Sequence, residues 1–167
     1  MEHSPRWKFT TVSKRSTTFF RRRFKNYCGW MVVEELALCD EIDVVQLWAL
    51  ADLTRAWNDA PSDFRRALEG PTSTVLGVKI EGALAGTAMV GHDGHRGWIY
   101  YLAVDPQCRE AGIGSMLISA AEEWLKVLGV VKVQLMVRSE NERVLNFFDS
   151  VGYEVSDVRV LSRWLNK

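Results

Sequence analysis

The sequence contains little of what metal sites, disulfide frameworks and membrane spans require. Its 167 residues include only three cysteines and three histidines. Cys28, Cys39 and Cys108 are odd in number and form no CxxC pair, which argues against disulfides and fits a reducing compartment. His92 and His95 have no further ligands at a spacing that completes a tetrahedral site, so we expect no metal. No run approaches the roughly 18 apolar residues that a membrane helix needs.

The composition is that of a globular domain, but the charge is distributed unevenly. Apolar residues make up 47% of the chain and charged residues 25%, which supports one domain with a real core. Residues 1–30 hold eight Lys and Arg against one Glu, whereas residues 31–167 hold 13 basic and 20 acidic residues. We therefore predict a basic, Ser/Thr-rich N-terminal extension over 1–30 and the functional domain over 31–167.

Three interpretations of this extension stay open. It has the composition of a targeting presequence, because transit peptides are rich in Arg and Ser and poor in acid. It is also compatible with a basic arm that contacts nucleic acid. The third interpretation is a disordered tail, or an upstream extension before a start at Met31. We expect a cytoplasmic protein, with organelle targeting through residues 1–30 as the alternative.

The periodicity of apolar residues predicts the element order β-α-α-β-β-β-α-β-α-β-β from Met31 onward. Strands are expected near 32–36 and over 74–80, 84–90, 98–104 and 131–137, with one or two more over 153–165. Helices are expected over 42–50, 61–68, 113–128 and 140–151. This order predicts an α/β (mixed α+β) fold, with a mixed sheet of six to seven strands flanked by about four helices.

The junction between the strand over 98–104 and the long helix has the properties of an anion site. The first N–H groups of a helix lack internal partners, and the helix dipole places about half a positive charge there. Ala111, Gly112 and Gly114 are small enough for oxygens to reach the backbone, and Arg109 adds a fixed cation. The junction completes neither a dinucleotide fingerprint nor a P-loop. The alternative is a turn whose glycines serve only packing.

Two segments carry a resemblance to a known superfamily. Residues 104–114 (VDPQCREAGIG) look like motif A of the GNAT acetyltransferases, and residues 141–153 (NERVLNFFDSVGY) resemble its motif B. Residues 55–59 (RAWND) and 94–102 (GHRGWIYYL) are similar to the pattern of the bacterial YpeA-like branch. The resemblance covers about 31–165 and implies a single GNAT-like domain.

This resemblance implies acetyl-CoA as cofactor. The strand over 98–104 would splay from the strand over 131–137, so that the pantetheine arm pairs with the backbone of the first strand. The pyrophosphate would be held at the start of the long helix. Asn141 would contact the arm, although a helix cap is an equal alternative. The implied cofactor-binding residues are Leu102, Ala103, Val104, Arg109, Glu110, Ala111, Gly112, Ile113, Gly114, Ser115, Asn141 and Phe148.

The general acid is where the chain departs from the superfamily pattern. Many relatives place a tyrosine in motif B that protonates the departing sulfur, and this chain has Phe148 at that position. General acid catalysis is typically worth about 10²–10⁴ in rate, but a thiol of pKa about 8.5 can leave as thiolate. Tyr101 and Tyr153 are candidate replacements, with core tyrosines as the alternative. Cys108 has no recognisable base partner, which argues against a covalent acyl-enzyme.

Candidate residues for deprotonating and binding the acceptor lie in two loops. Asp93, His95 and Tyr100 are candidate catalytic bases, acting directly or through water. In the alternative interpretation, Asp93 and Gly94 form a turn that His95 caps.

Between the first two helices, Trp57, Asn58 and Asp59 are candidate acceptor-binding residues, with Asp59 attracting an ammonium and Trp57 covering its alkyl chain. The alternative makes Trp57 a core anchor and Asp59 the cap of the second helix.

The hypothesis that follows is an N-acetyltransferase that moves an acetyl group from acetyl-CoA to an amine by direct attack in a ternary complex. The acceptor would be a small metabolite, a peptide or a protein. We expect neither a membrane nor a nucleic-acid partner, and a homodimer stays open. The alternative function is a catalytically weak acyl-CoA-binding regulatory module. A third, weaker hypothesis is nucleic-acid binding through the basic N-terminus.

Overall fold

The computed structural model describes residues 22–24 and 27–165, with side chains from Met31 onward. The chain divides into two compact units, of which the first ends at Leu135 and the second begins at Met136. The strands are β1 (Arg22–Phe24), β2 (Tyr27–Glu35), β3 (Ser73–Ile80), β4 (Ala83–His92), β5 (Gly97–Val104) and β6 (Val133–Gln134). The helices are α1 (Glu41–Leu50), α2 (Ala60–Glu69), α3 (Ile113–Val127) and α4 (Glu142–Ser150).

All described strands belong to the first unit and follow chain order across one mixed sheet. Strands β2 to β5 are antiparallel neighbours. Short turns join β3 to β4 and β4 to β5, as is usual for antiparallel neighbours, whereas α1 and α2 lie between β2 and β3. After the α3 crossover, β6 returns parallel to β5. The short β1 adds an antiparallel partner to the start of β2. The five strands β2 to β6 therefore form the main sheet, with β1 at its edge.

Helices cover both faces of this sheet. On one face, α1 and α2 enclose a core around Trp48 and Phe64, which are fully buried, together with Val75 and Ala103 of the strands. The Trp48 indole N–H donates to Thr87 Oγ1 over 2.9 Å, so its one polar group is satisfied inside the core. On the other face, the apolar stripe of α3 lies against β4 and β5, with Met116, Leu117 and Leu125 fully buried.

Two strand glycines let α3 approach the sheet closely. A Cβ at Gly86 would stand 2.6 Å from Ile113 Cγ2, and a Cβ at Gly97 would stand 2.5 Å from Leu125 Cδ1. Both distances are shorter than real Cβ contacts, so larger residues at these positions would push the helix outward. The Gly86 contact thus lets the start of α3 lie close to β4, and the Gly97 contact lets its last turn lie close to β5.

The predicted α/β fold class is confirmed: the described residues form one mixed sheet and four α-helices, of which α1, α2 and α3 pack on the sheet. The strand expected over 131–137 is ordered as a ladder only at Val133–Gln134. The strands expected over 153–165 are wrong, because no described strand pairs with this segment and Val155 and Leu161 are more than nine-tenths exposed. A strand needs a ladder partner for its backbone groups, and the described strands supply none here.

The start of the chain also differs from expectation. β2 begins at Tyr27 rather than near Val32, and β1 lies within the segment expected to be separate. Residues 1–21, where most of the basic cluster falls, lie outside the described residues. The role of the extension therefore stays a prediction. No helix among the described residues is long and apolar enough to cross a bilayer.

Candidate functional site

A β-bulge in β5 organises the candidate site. Thr87 of β4 pairs with Ala103 and Met89 pairs with Tyr100, so Tyr101 and Leu102 together oppose the single residue Ala88. Tyr101 adopts φ +48°, a left-handed conformation that costs a non-glycine residue about 1–2 kcal/mol. Its ring is stacked on Trp48, with centroids 3.9 Å apart and planes inclined by 16°. The surrounding core therefore holds the bulge in place.

One edge of β5 is open over residues 99–104, the stretch that contains the bulge. β6 pairs with β5 only at Gly97 and Trp98, and no other described strand pairs with that edge over residues 99–104. Leu102, Ala103 and Val104, the residues predicted to bind the pantetheine arm, lie on this stretch. Since unpaired backbone groups need partners, an extended polar ligand fits the edge as an added strand. The described β5–β6 ladder thus ends at Trp98, and the splay of the two strands stays a prediction.

The α3 start also fits an anion. Gly112 precedes the helix with φ +74°, a conformation natural to glycine, and no described side chain caps the first turn. The Met116 N–H closes the first helical bond to the Gly112 carbonyl, which leaves the earlier amides of the turn as candidate donors. Arg109, Glu110 and Ala111 form the approach to the helix, and Ile113, Gly114 and Ser115 form its first residues. Arg109 is exposed, so its guanidinium can reach a ligand.

Cys108 lies just before this junction and is not activated. Burial raises the pKa of the Cys108 thiol, and the negative charge of Asp105 raises it further. A raised pKa lowers the thiolate fraction, and the thiolate is the nucleophile. The environment therefore agrees with the prediction that Cys108 forms no acyl-enzyme.

A cleft of about 430 Å³ opens on the α2 side of the sheet, a volume within the usual range for small-molecule sites. Tyr100 and Tyr101 both line it, although consecutive strand residues normally face opposite sides. The bulge is the reason, because it turns both side chains to one face. The remaining lining residues are Asp63, Arg66, Ala67, Thr72, Ser73, Trp98 and residues 89–93.

Asp63 is a site residue that sequence reasoning missed. The Tyr101 hydroxyl donates to Asp63 Oδ2 over 2.9 Å, and Asn58 Nδ2 approaches the same hydroxyl at 3.4 Å. Burial, above all, raises the pKa of Tyr101, so its hydroxyl stays protonated at neutral pH. Nothing in the spacing of Asp63 distinguishes it from any polar helix residue, because its importance comes from the bulge that brings Tyr101 to it.

Asp93 forms the turn that the alternative interpretation predicted. Its Oδ1 accepts from the backbone N–H groups of Arg96 (2.7 Å) and His95 (2.8 Å), and its Oδ2 accepts from Trp98 Nε1 (3.0 Å). The Arg96 amide, followed by the Trp98 indole and the His95 amide, holds the pKa of Asp93 well below its ordinary value. Such a carboxylate is a weak base, and its hydrogen bonds orient Trp98 in the cleft wall.

The other two candidate bases are placed differently. His95 is exposed and does not line the cleft, and its backbone amide caps the Asp93 turn. Tyr100 lines the cleft, is 41% exposed, and its hydroxyl has no hydrogen-bond partner among the described residues. Burial, and then the negative charge of Asp93, raise the pKa of Tyr100. Tyr100 is thus available to orient a polar ligand, but as a protonated phenol at neutral pH.

The three predicted acceptor residues are not among those that line the cleft. Asp59 caps α2, accepting from the Ser62 backbone N–H at 3.0 Å and from the Ser62 hydroxyl at 2.8 Å. Trp57 is 60% exposed, so it is not the core anchor of the alternative interpretation. Asn58 contacts a lining residue, because its Nδ2 approaches the Tyr101 hydroxyl at 3.4 Å.

Two predicted cofactor residues belong to the second unit. Asn141 caps α4, where its Oδ1 accepts from the Val144 backbone N–H at 3.3 Å. Phe148 is buried and contacts Phe147 and Tyr153 edge to face, with ring centroids 5.2 and 5.4 Å away. The capping interpretation of Asn141 is therefore observed, whereas a contact of either residue with cofactor stays a prediction. Among the residues that the structure describes, no three His, Cys, Asp or Glu side chains are grouped to hold a metal ion.

The sequence matches a protein-family model, and the fold matches solved structures. The model of the acetyltransferase (GNAT) family matches residues 42–153. The chain is similar in fold to AAC(6')-Iy, solved in complex with the bisubstrate analog CoA-S-monomethyl-acetylneamine, with TM-score 0.70 and 16% identity over 80% of this chain and 97% of that chain. It is also similar to the aminoglycoside acetyltransferase meta-AAC0020 from an uncultured soil metagenomic sample (TM-score 0.68, 20% identity, 82% and 97% covered). A third similar structure is glucosamine-6-phosphate N-acetyltransferase from Arabidopsis thaliana (TM-score 0.63, 20% identity, 81% and 99% covered).

Proposed function

This chain belongs to the acetyltransferase (GNAT) family, and on that premise we propose that it transfers an acetyl group from acetyl-CoA to an amine. The proposal depends on two neighbouring features. One edge of β5 is open, and the next α-helix along the chain, α3, begins without a side-chain cap. One feature suits an extended amide-bearing arm and the other suits a diphosphate. Both belong to the same strand–turn–helix connection, so one ligand can use both.

The residues of this connection fit CoA. Backbone groups of Leu102, Ala103 and Val104 would pair with the pantetheine arm, and amides from Glu110 to Ser115 would hold the pyrophosphate beside Arg109. Gly112 supports this assignment, because its left-handed backbone turns the chain into the helix without a Cβ near the amides. We also propose that Asn141 and Phe148 contact the bound cofactor, as the sequence predicts.

When bound, acetyl-CoA supplies the thioester whose acetyl group is transferred. We propose direct attack in a ternary complex: the N–C bond forms, the C–S bond breaks, and CoA departs as a thiolate. An acceptor that enters as an ammonium first loses one proton to solvent, which frees the nitrogen lone pair for attack. The nitrogen then gives up a second proton, and the thiolate takes one up. The chain's part is to keep bulk water from the thioester, align the amine with the end of the β5 edge and place polar groups and an oriented water near it.

Proton transfer from the amine is proposed to run through water oriented in the cleft. Among the candidate bases Asp93, His95 and Tyr100, only Asp93 and Tyr100 line the cleft. The hydrogen bonds that lower the pKa of Asp93 weaken it as a base, so we assign it to the turn and assign Tyr100 to orienting water. For the departing thiolate, we propose Tyr101 or Tyr153 in place of the hydroxyl that Phe148 lacks.

The finer placement of this chain within the family is also a proposal. The segments RAWND and GHRGWIYYL support the bacterial YpeA-like acetyltransferases as the nearest branch. The second of these segments supplies Trp98, Tyr100 and Tyr101 to the cleft wall. We further propose that the domain spans 31–167, that Trp57, Asn58 and Asp59 border the acceptor entrance, and that the protein acts in the cytoplasm. Free thiols at Cys39 and Cys108 support a reducing location.

Phe148 favours a second candidate function, a catalytically weak acyl-CoA-binding regulatory module. Titration calorimetry with CoA tests the property that both functions share, and absence of binding would refute both. Acetyl transfer to a panel of amines, followed by release of free thiol, separates them. Should Phe148→Tyr raise turnover, with Phe147→Tyr as control, the missing hydroxyl limits the reaction. An unchanged rate would assign the acid to another residue.

A further inference from the structure

The cleft combines a carboxylate with an aromatic wall, and this combination indicates a class of acceptor. We propose that the acceptor is a small cationic amine with an apolar carbon skeleton. Its ammonium group pairs with Asp63, and its skeleton lies on Trp98 and Tyr100. This inference rests on the acetyl transfer proposed above, because it names the substrate class of the same site.

Asp63 has the capacity to bind a cation. Its side chain is 30% exposed, and its Oδ2 accepts one hydrogen bond, from the Tyr101 hydroxyl. An ionised carboxylate accepts about four hydrogen bonds, so most of its capacity remains for a ligand. Hydrogen bonds from an ammonium to a carboxylate are about twice as strong as neutral ones.

The second carboxylate of the cleft is already satisfied. Asp93 accepts three hydrogen bonds from its own turn and from Trp98. Breaking these bonds to bind a ligand would release the loop and the indole together. The ammonium therefore belongs at Asp63 rather than at Asp93.

The aromatic wall suits the rest of such a ligand. The rings of Trp98 and Tyr100 lie nearly parallel, with planes inclined by 13° and centroids 6.2 Å apart. The bond from Trp98 Nε1 to Asp93 fixes the indole, so the wall is formed before a ligand arrives. Aromatic faces bind apolar groups through buried area and attract cations through the ring quadrupole.

The position of Asp63 and the volume of the cleft further restrict which amines can be acceptors. Tyr101 donates to Asp63 and directly precedes Leu102, where the proposed arm of the donor begins. An ammonium at Asp63 therefore lies next to the residues proposed to guide the thioester. A cleft of about 430 Å³ matches a small molecule, which favours a metabolite-sized amine over a protein chain.

Among the residues whose side chains the structure describes, Arg66 is the cation paired with Asp63. Its Nη2 lies 3.6 Å from Asp63 Oδ1, and its side chain is 76% exposed. An ion pair so open to solvent contributes little, so an entering ammonium can displace it. Arg66→Gln should then tighten binding of a cationic amine, or leave it unchanged.

The test compares an amine with its neutral isostere, using the full chain without acyl donor. The probes are 2-phenylethylamine and 2-phenylethanol, titrated by NMR chemical shift into the wild type and its variants. Asp63→Asn should weaken the amine at least about tenfold and leave the alcohol unchanged, since asparagine still accepts from Tyr101. Trp98→Leu should weaken both probes several-fold. Asp43→Asn, which removes an exposed carboxylate of α1, is the matched control and should change neither.

Three outcomes would overturn the inference. They are equal amine affinity in the wild type and Asp63→Asn, equal affinity of the wild type for amine and alcohol, and no binding of the amine at millimolar concentration. The second and third need no variant, so a folding defect cannot obscure them. Calorimetry with CoA keeps the two proposals apart: intact CoA binding without amine binding refutes only the acceptor class, and absent CoA binding refutes the proposed function.

Discussion

Tyr101 shows how a single residue can be forced into an unfavourable conformation by its neighbours. The left-handed conformation of its backbone costs about 1–2 kcal/mol. Three contacts nevertheless stabilise it: the stack on Trp48, the hydrogen bond to Asp63 and the ladder with β4. Residues with such strain cluster at functional sites, because a rigid scaffold is needed to maintain them. The bulge is accordingly the point at which the open β5 edge and the cleft meet.

At the same scale, Gly112 provides a sharp test of the anion site. Gly112→Ala should cost about 1–2 kcal/mol of unfolding free energy, because alanine is disfavoured at φ +74°. It should also weaken CoA at least about tenfold, since a Cβ enters the amide cluster. Urea denaturation and titration calorimetry measure the two effects.

Gly82 offers the matched control for this substitution. It has φ +86° in the β3–β4 turn, and a Cβ there meets nothing within 4 Å. Gly82→Ala should lose similar stability and keep full CoA affinity. Equal CoA affinity in both variants would place the pyrophosphate elsewhere.

Asp93 predicts a dependence of stability on pH. Its folded pKa lies below the ordinary value of about 3.9, so its contribution is complete above that pH and is lost as the pH falls further. Between about pH 4 and pH 2, the unfolding free energy of the wild type should therefore fall more steeply than that of Asp93→Asn. Urea denaturation across this range measures both slopes, with Asp43→Asn controlling for net charge. Identical slopes would show that the turn does not stabilise the carboxylate.

At the scale of elements, periodicity predicted the helices and the central strands well. The spacing of Met116, Leu117 and Leu125 gave α3 correctly, because a stripe at intervals of three and four has one way to be buried. Ile42 and Leu50, the apolar residues at the two ends of the helix predicted over 42–50, are 69% and 64% exposed and so do not belong to the buried face of α1. The bulge and Asp63 were not predicted, because both depend on register between β4 and β5, which local patterns do not encode.

The open edge of β5 gives a prediction at this scale. Peptides covering residues 99–104 should exchange amide hydrogens at least about tenfold more slowly in saturating CoA, because the ligand would satisfy the unpaired backbone groups. Hydrogen-exchange mass spectrometry measures this. Residues 76–79 of β3, which pair with strands on both sides, serve as the internal control and should not change. Calorimetric binding without protection of 99–104 would contradict an added-strand mode.

At the scale of the whole molecule, the strand pairing separates an N-terminal two-stranded ribbon, formed by β1 and the start of β2, from the main sheet. β1 pairs with β2 between Tyr27 and Met31, whereas β2 pairs with β3 only from Val32 onward. Two-stranded ribbons are marginally stable in isolation. The main sheet thus does not need the residues before Met31 for its own ladders.

Removing residues 1–30 should accordingly leave the functional domain intact. We expect CoA affinity within about twofold of the full chain and a change in unfolding free energy on the order of 1 kcal/mol or less. Calorimetry and urea denaturation of the chain starting at Met31 measure these quantities. Loss of folding would show that the domain begins earlier than predicted.

The extra residue at the bulge has a consequence for how new specificities arise in such a protein. It separates β5 into an upstream stretch, which carries Trp98 and Tyr100, and a downstream stretch, which carries backbone contacts alone in the proposed enzyme. Exchanging side chains upstream would remodel what enters the cleft, while the peptide groups downstream keep their hold on an unchanged donor. The side chains of one strand can therefore change to accept different nucleophiles, while its backbone still binds the same acyl donor.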